Sequence, residues 1–457
     1  MYESKQLIIG AGPVGLAMAD ALNRHGIDYD HVEAAAGLGG NWHHGVYSTV
    51  HTVSSKRSTA FSDYPMPDDY PEFPSGAQML RYLENYARDR GLADRITYDK
   101  AVTRAEPLSD WSWRVRFADG EERVYKGVIV CNGHHWDKRM PALEGQFAGT
   151  LIHSKDYREP RDLQGRRVLV IGGGNSGCDV ACEAARVATS CDWSLREGVW
   201  LLPKIALGKP LTDLSVWWLP VWLQRPILRA LIKVMIGDYR RYGLPKPRHK
   251  LFERHPTYGT DALGYLKQGR IKPRPGIARV DGHTVTFKDG SQGEYDMIVA
   301  ATGFNNALPM LPAGLVETRG DAIGVVGGAF VDKAKNLLAV GFAQPRTGFG
   351  PVITPAADMY ARLIKIQDRF EDPIAALLRF SGKVPMASPY IDPVATRREL
   401  WFGRLQLKMV DIEIWRYRRH KQRQAAKAAR DEAKAAQTRD GVTGTASART
   451  IGDGPRA

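Results

Sequence analysis

The chain has 457 residues, 43% of them hydrophobic, and a formal net charge of +14. That length exceeds one average core, so two or three domains are expected. Four cysteines (Cys131, Cys178, Cys182 and Cys191) exclude a disulfide framework, and the lack of a CxxC pair argues against a dithiol reductase. The charge is local: Arg196 to Arg254 carries a positive excess of 8 and Gly403 to Ala436 an excess of 6, so the remainder is near neutral and no nucleic-acid partner is expected.

A strand is predicted at Gln6-Leu7-Ile8-Ile9, too close to the start to leave room for a signal peptide, so a cytoplasmic location is expected. Gly10, Gly12 and Gly15 follow, with Pro13 and Val14 between them, at the entry to a helix. In such a fingerprint the first glycine permits a tight turn, the second lets backbone approach a pyrophosphate, and the third lets helix pack close to strand. The pyrophosphate then rests on free helical N–H groups. Glu33 ends the next strand, where a carboxylate accepts hydrogen bonds from a ribose.

Arg114 to Gly133 aligns without gaps on Thr284 to Gly303, with Val115/Val285, Phe117/Phe287, Asp119/Asp289, Gly120/Gly290, Tyr125/Tyr295 and Gly133/Gly303 identical. Each copy reads as strand, Asp-Gly turn, strand, and a buried strand ending in glycine. Between the copies stands a second fingerprint, Gly172, Gly174 and Gly177 with Asn175 and Ser176, after Arg167-Val168-Leu169-Val170-Ile171. Here the following strand delivers Ser194 and Arg196 instead of a carboxylate, and a guanidinium suits a 2′-phosphate. The first site therefore favours FAD and the second NADPH over NADH.

Residues 199–250 form an aromatic, basic insertion with Trp200, Trp217, Trp218 and Trp222. Within 214–236, Arg225, Arg229 and Lys233 recur every fourth residue on an otherwise apolar helix, the pattern of a helix lying in a membrane interface. A buried helix or an oligomer contact fits the same apolar stripe, and both readings stand. Pro220, Pro226 and the charges prevent it from spanning a bilayer. Toward the C-terminus, Trp401, Leu405, Met409, Ile412 and Trp415 follow helical spacing and are expected to dock on the body. A basic helix to 436 and a disordered tail over 437–457 are expected beyond them.

With the dinucleotide sites placed, Phe147-Ala148-Gly149-Thr150-Leu151-Ile152-His153-Ser154-Lys155-Asp156-Tyr157 matches FxGxxxHxxxY, and the chain resembles the flavin-containing monooxygenases, class B flavoprotein monooxygenases. Gly39-Gly40-Asn41-Trp42, Ser54-Ser55-Lys56, Asp63-Tyr64-Pro65, Gly243-Leu244-Pro245-Lys246-Pro247 and Ala301-Thr302-Gly303-Phe304 carry the same likeness, which runs from Lys5 to about Ala361. The resemblance implies cofactor contacts from Gly40, Asn41, Trp42, Thr52, Val53, Ser54, Thr302 and Gly303, and structural roles for His153 and Tyr157 in linking the domains. It implies that NADPH reduces FAD, oxygen adds to give a C4a-hydroperoxyflavin, and a small-molecule soft nucleophile, an amine or sulfide, takes the distal oxygen. No catalytic side chain and no metal is expected, because the hard chemistry belongs to the cofactor.

One residue departs from the family pattern: Val53 stands where an asparagine is usual, and valine donates no hydrogen bond. Leakage of hydrogen peroxide is therefore an alternative to oxygen transfer. Baeyer-Villiger oxidation and oxidative decarboxylation of a 2-oxo acid are the others. The expected architecture is α/β, with two Rossmann-like domains: an FAD domain of 1–149 plus 300–395, an NADPH domain of 150–299, and a C-terminal helix over 396–436.

Overall fold

The computed structural model describes residues 4–214, 221–319, 321–383 and 390–446. Trp217, Trp218 and Pro220 lie outside the described residues, as does 447–457. Two parallel sheets organise the chain. The first uses β1 (Gln6–Ile9), which leads into α1 (Pro13–Arg24), then β2 (Tyr29–Val32) and β3 (Gly127–Val130). The second uses β4 (Thr150–His153), β5 (Arg167–Ile171) with α2 (Asn175–Val187), β6 (Ser190–Ser194), β7 (Ile271–Arg274) and β8 (Met297–Ala300), in the order β4-β8-β5-β6-β7; the insertion helix α3 (Val221–Met235) lies between β6 and β7 in the chain. The chain then returns to the first sheet as β9 (Leu337–Ala339), parallel to β3, before α4 (Gly350–Gln367), α5 (Pro393–Gln406) and α6 (Val410–Ala446).

The central strands β1, β3, β5 and β8 are near-continuous apolar runs, as a parallel sheet covered on both faces requires. Leu7, Ile8, Val128, Ile129, Val168, Leu169, Ile298 and Val299 are all fully buried. Parallel pairing brings β1 between β2 and β3, and β5 between β6 and β8, so each glycine fingerprint emerges at the carboxyl end of a central strand.

The internal repeat is visible in side-chain contacts. Tyr125 donates to Asp30 Oδ2 at 3.0 Å and its counterpart Tyr295 donates to Asp192 Oδ2 at 2.7 Å. The Asp-Gly turns place Gly120 and Gly290 at φ +87° and +81°, backbone that only glycine adopts at no cost.

The C-terminal helices overturn one expectation. Trp401, Leu405, Met409, Ile412 and Trp415 are exposed, and Leu400, Leu407, Val410, Ile414 and Tyr417 pack on the first domain's core instead. The docked positions Leu400, Gly403, Leu407, Val410, Ile414 and Tyr417 keep helical spacing straight through the 3₁₀ turn at Leu407–Met409, so the buried face is the one beside the predicted stripe and equally regular. Gly403 fixes the docked face, since a Cβ there would lie 3.1 Å from Met359 Cε on α4. A second correction concerns the end of the basic helix: α6 runs to Ala446, into the segment expected to be a disordered tail. In the insertion, Leu228, Leu231, Ile232 and Ile236 pack on the second domain while Trp222, Ile227 and Val234 are exposed. The expected basic stripe is not free: Arg225 donates to the Leu251 carbonyl at 3.0 Å and Arg229 lies over the Trp200 ring.

Candidate functional site

Each fingerprint folds into the same cradle. Gly10 and Gly172 turn at φ +102° and +112°, and a Cβ on either would collide with the carbonyl oxygen of Cys131 or Ala301 on the neighbouring strand's exit, at 2.6 and 2.2 Å. Gly15 and Gly177 let the helix lie against the turn, where a Cβ would sit 1.8 Å from Gly10 O and 2.2 Å from Gly172 O. Gly12 and Gly174 are the N-caps of α1 and α2, and neither helix has a side-chain cap. A Cβ at Gly12 would meet only Gly40 Cα, at 3.8 Å, and one at Gly174 would meet nothing within 4 Å. Uncapped N–H groups facing open space are what a pyrophosphate requires, so both cradles fit a dinucleotide.

The first glycine's carbonyl is pinned by a ring nitrogen in both copies. His31 Nε2 donates to Gly10 O at 3.0 Å, and Trp193 Nε1 donates to Gly172 O at 2.7 Å. Burial lowers the His31 pKa to about 4. Its Nδ1 is buried without a partner among the described residues, so a second proton there would be a charged N–H with no acceptor. Neither ring was singled out from sequence, although both occupy the same place in their repeats.

The two sites differ where the second strand ends. Glu33 accepts from Ala11 N at 2.6 Å and Ala35 N at 2.9 Å, which holds its carboxylate against the first cradle. Leu195 follows Ser194 on the second strand; Ser194 is buried and donates to the Pro275 carbonyl at 2.8 Å, whereas Arg196 is exposed. Asp192, the carboxylate within this strand, is neutralised by Arg274 at 2.6 Å and faces Tyr295.

Other expected residues gather around the cradles. Pro13 opens α1, and Val14 packs against Gly341, whose φ of +87° suits only glycine. Gly39 N donates to Ala11 O at 2.9 Å, which sets Gly40, Asn41 and half-buried Trp42 beside the first cradle. Asn175 Oδ1 accepts from Tyr258 N at 2.8 Å, and Ser176 lies beside Tyr47 at the start of α2. Thr52 donates to the Ser54 carbonyl at 2.8 Å and Ser54 shares a 2.7 Å hydrogen bond with Thr59, while half-buried Val53 packs against the second domain's core. Thr302 donates to the Arg139 carbonyl, and Gly303 O accepts from His153 Nε2 at 3.0 Å.

Side chains that sequence reasoning passed over tie the two domains together. Tyr47 donates to Asp179 Oδ2 at 2.6 Å on α2 and Thr49 donates to Glu183 on the same helix; Tyr157, which the motif assigns to linking the domains, donates to Glu183 from within the second domain. Lys155 reaches back to Asn41 Oδ1, and burial lowers its pKa to about 8. Gln344 Nε2 bonds His134 and His135 at 3.0 and 2.6 Å, just past the glycine that ends β3. Long-range partners of this kind leave no periodic signal. A cavity of about 480 Å³ lies apart from these residues, lined by Glu144, Gln146, Arg279 and Asp281 among others.

Comparison with known proteins agrees with this geometry. The family described as FMO-like, flavin-binding monooxygenase-like, matches residues 3–369. Dimethylaniline monooxygenase [N-oxide-forming] 2 of Pan troglodytes is 30% identical over 79% of this chain and 72% of its own. Indole-3-pyruvate monooxygenase YUCCA1 of Oryza sativa subsp. japonica is 30% identical over 74% of this chain and 86% of its own. The crystal structure of OTEMO in complex with FAD and NADP superposes with a TM-score of 0.66 at 17% identity, covering 80% of this chain and 84% of that one.

Proposed function

We propose, from the premise that the chain belongs to the flavin-binding monooxygenase-like family, that it transfers one oxygen atom from O2 to a soft nucleophile, an amine nitrogen or a sulfide sulfur. It is an FAD-dependent monooxygenase, and FAD and NADP(H) are its cofactors. The observation that carries the reading is the pair of uncapped glycine cradles, built alike and joined across the domains through Tyr47, Thr49 and Lys155. When bound, the flavin supplies the redox and oxygen-activating chemistry.

The chain's own residues bind, orient and exclude water. In this reading the first cradle and Glu33 hold FAD, with Gly40, Asn41, Trp42, Thr52, Val53 and Ser54 beside it, and the second cradle with Asn175, Ser176, Ser194 and Arg196 holds NADPH. Thr302 and Gly303 complete the crevice. His153 donates from Nε2 to Gly303 and accepts the Lys155 N–H at Nδ1, 3.0 Å, so its tautomer is fixed and it positions the inter-domain turn. Mixing NADPH-reduced protein with oxygen in a stopped-flow instrument, with a thioether and an aromatic amine as acceptors, tests the reading. A yellow protein that forms sulfoxide or N-oxide at the expense of NADPH is expected. A colourless protein that leaves NADPH unoxidised would sink it.

A second reading, an NADPH oxidase that releases hydrogen peroxide, is favoured by one observation: Val53 offers no donor and the Thr52 hydroxyl is spent on Ser54 O. Hydrogen peroxide measured per NADPH separates the two, and ketone and 2-oxo-acid acceptors in the same assay test the Baeyer-Villiger and decarboxylating alternatives. No helix among the described residues is long and apolar enough to cross a membrane. The exposed Trp222, Ile227 and Val234 of α3 support peripheral contact with a bilayer. Flotation with phosphatidylserine vesicles that is lost on Trp222→Ser and Ile227→Ser together is the expected result.

A further inference from the structure

Arg346 is only 7% exposed, yet two of its three guanidinium nitrogens have nothing to bond among the described residues. One terminal nitrogen donates to Asp392 Oδ1 at 2.9 Å; Nε and the other terminal nitrogen are buried without a hydrogen-bond partner among the described residues. Phe252 covers one face of the group, 4.9 Å from ring centroid to guanidinium carbon. Buried donors are almost always satisfied, and an arginine does not escape by losing its proton. The local charge is also incomplete: Arg225 adds a second positive group, and Asp392 is the carboxylate paired with Arg346.

The location gives these donors a purpose. Arg346 stands on the segment that runs from Gln344, which bonds His134 and His135, to Gly348, where a Cβ would strike Ser58 O at 1.9 Å. Its own carbonyl accepts from Tyr258 OH at 3.2 Å, and the Tyr258 N–H in turn holds Asn175 of the second cradle. The arginine therefore lies on the strap between β9 and α4, which touches the residues after β3 through Gln344 and the start of α2 through Tyr258.

We propose that Arg346 receives an oxyanion through its two unpartnered donors, and that this oxyanion is a carboxylate carried by the substrate. The amine or thioether that accepts oxygen is then an acid, not a neutral lipophile. The inference rests on the monooxygenase reading for the word substrate, but the anion site stands on the buried donors alone. Hydrogen bonds to a charged acceptor are short and strong, and a site built around them discriminates sharply against a ligand that lacks the charge.

The test uses the FAD-loaded protein and two matched probes, 4-(methylthio)benzoate and its neutral methyl ester. Isothermal titration is expected to show the acid binding at least about tenfold more tightly than the ester. Arg346→Gln is expected to bring the two affinities together, and Arg346→Lys to keep part of the preference while preserving the charge. The same split is expected in KM for sulfoxide formation. Equal affinities in the unmodified protein, failure to bind either probe, or equal weakening of both probes by Arg346→Gln would overturn the proposal. So would an Arg346→Gln variant that loses affinity for NADP+ in place of the acid, which assigns the arginine to a coenzyme phosphate. Preferential binding of the acid with no sulfoxide from either probe would count against oxygen transfer and still support the anion site.

Discussion

The two cradles share one construction down to the ring N–H that pins the first glycine's carbonyl, and they part company only at the end of the second strand. There the first carries Glu33, held by two backbone N–H groups, and the second carries buried Ser194 and exposed Arg196. The shared part is what any dinucleotide needs, an uncapped helix and a turn without Cβ atoms. In the proposed reading the divergent part meets the ribose, so a duplicated scaffold would acquire its cofactor preference at a few strand-end positions.

Breaking the shared part has the largest expected effect. Gly15→Ala puts a methyl 1.8 Å from Gly10 O and Gly177→Ala one 2.2 Å from Gly172 O, and both obstacles are backbone. A cost on the order of 3 kcal/mol or more at the affected cradle is expected. Purified Gly15→Ala should lack the flavin absorbance band, whereas Gly177→Ala should stay yellow and resist reduction by NADPH. Identical phenotypes would mean that the cradles do not divide the cofactors.

The pinning rings sharpen the comparison because only one of them titrates. His31 has a folded-state pKa near 4, below its ordinary 6.5, so the unfolded chain binds the extra proton first. Its contribution is complete above pH 6.5 and is lost as pH falls toward 4, a change of about 3 kcal/mol. Urea unfolding across that window, compared with His31→Gln, should show a steeper loss in the unmodified protein. Trp193→Phe removes the equivalent donor from Gly172 O, and its cost of about 1–3 kcal/mol should be the same at every pH.

The divergent residues give smaller, more selective changes. Arg196→Ala is expected to raise KM for NADPH about tenfold while leaving KM for NADH in place, because the exposed guanidinium offers a 2′-phosphate a charge-assisted contact that NADH has no group to use. An equal rise for both coenzymes would show that the residue does not read the phosphate. Val53→Asn, which introduces an amide donor beside Thr52, is expected to lower the hydrogen peroxide released per NADPH by a few-fold. Unchanged peroxide yield would remove Val53 as the source of leakage.

Much of the site was legible because a fingerprint is a local object: turn, close approach and helix entry all fall within six residues, and their glycine requirement is written in spacing. The repeat at Arg114–Gly133 and Thr284–Gly303 was legible for the same reason, since alternation and an Asp-Gly turn are properties of neighbours. His31 and Trp193 were not recognised, because a ring in a buried strand reads as core until its hydrogen-bond partner is known. The C-terminal stripe misled through its regularity: the adjacent face, Leu400, Gly403, Leu407, Val410, Ile414 and Tyr417, has the same helical spacing, and it is the one that took the buried side.

By itself, then, the sequence determined two dinucleotide cradles, the acidic and basic choices at their strand ends, and membership of a recognisable family. Only the tertiary structure decided which helix face docks, that Tyr47 and Thr49 clamp the domains together, and that Arg346 is buried with donors to spare. The physical reason is range: backbone geometry within a turn is fixed by adjacent residues, whereas burial and unmet hydrogen bonds are set by contacts between segments hundreds of residues apart.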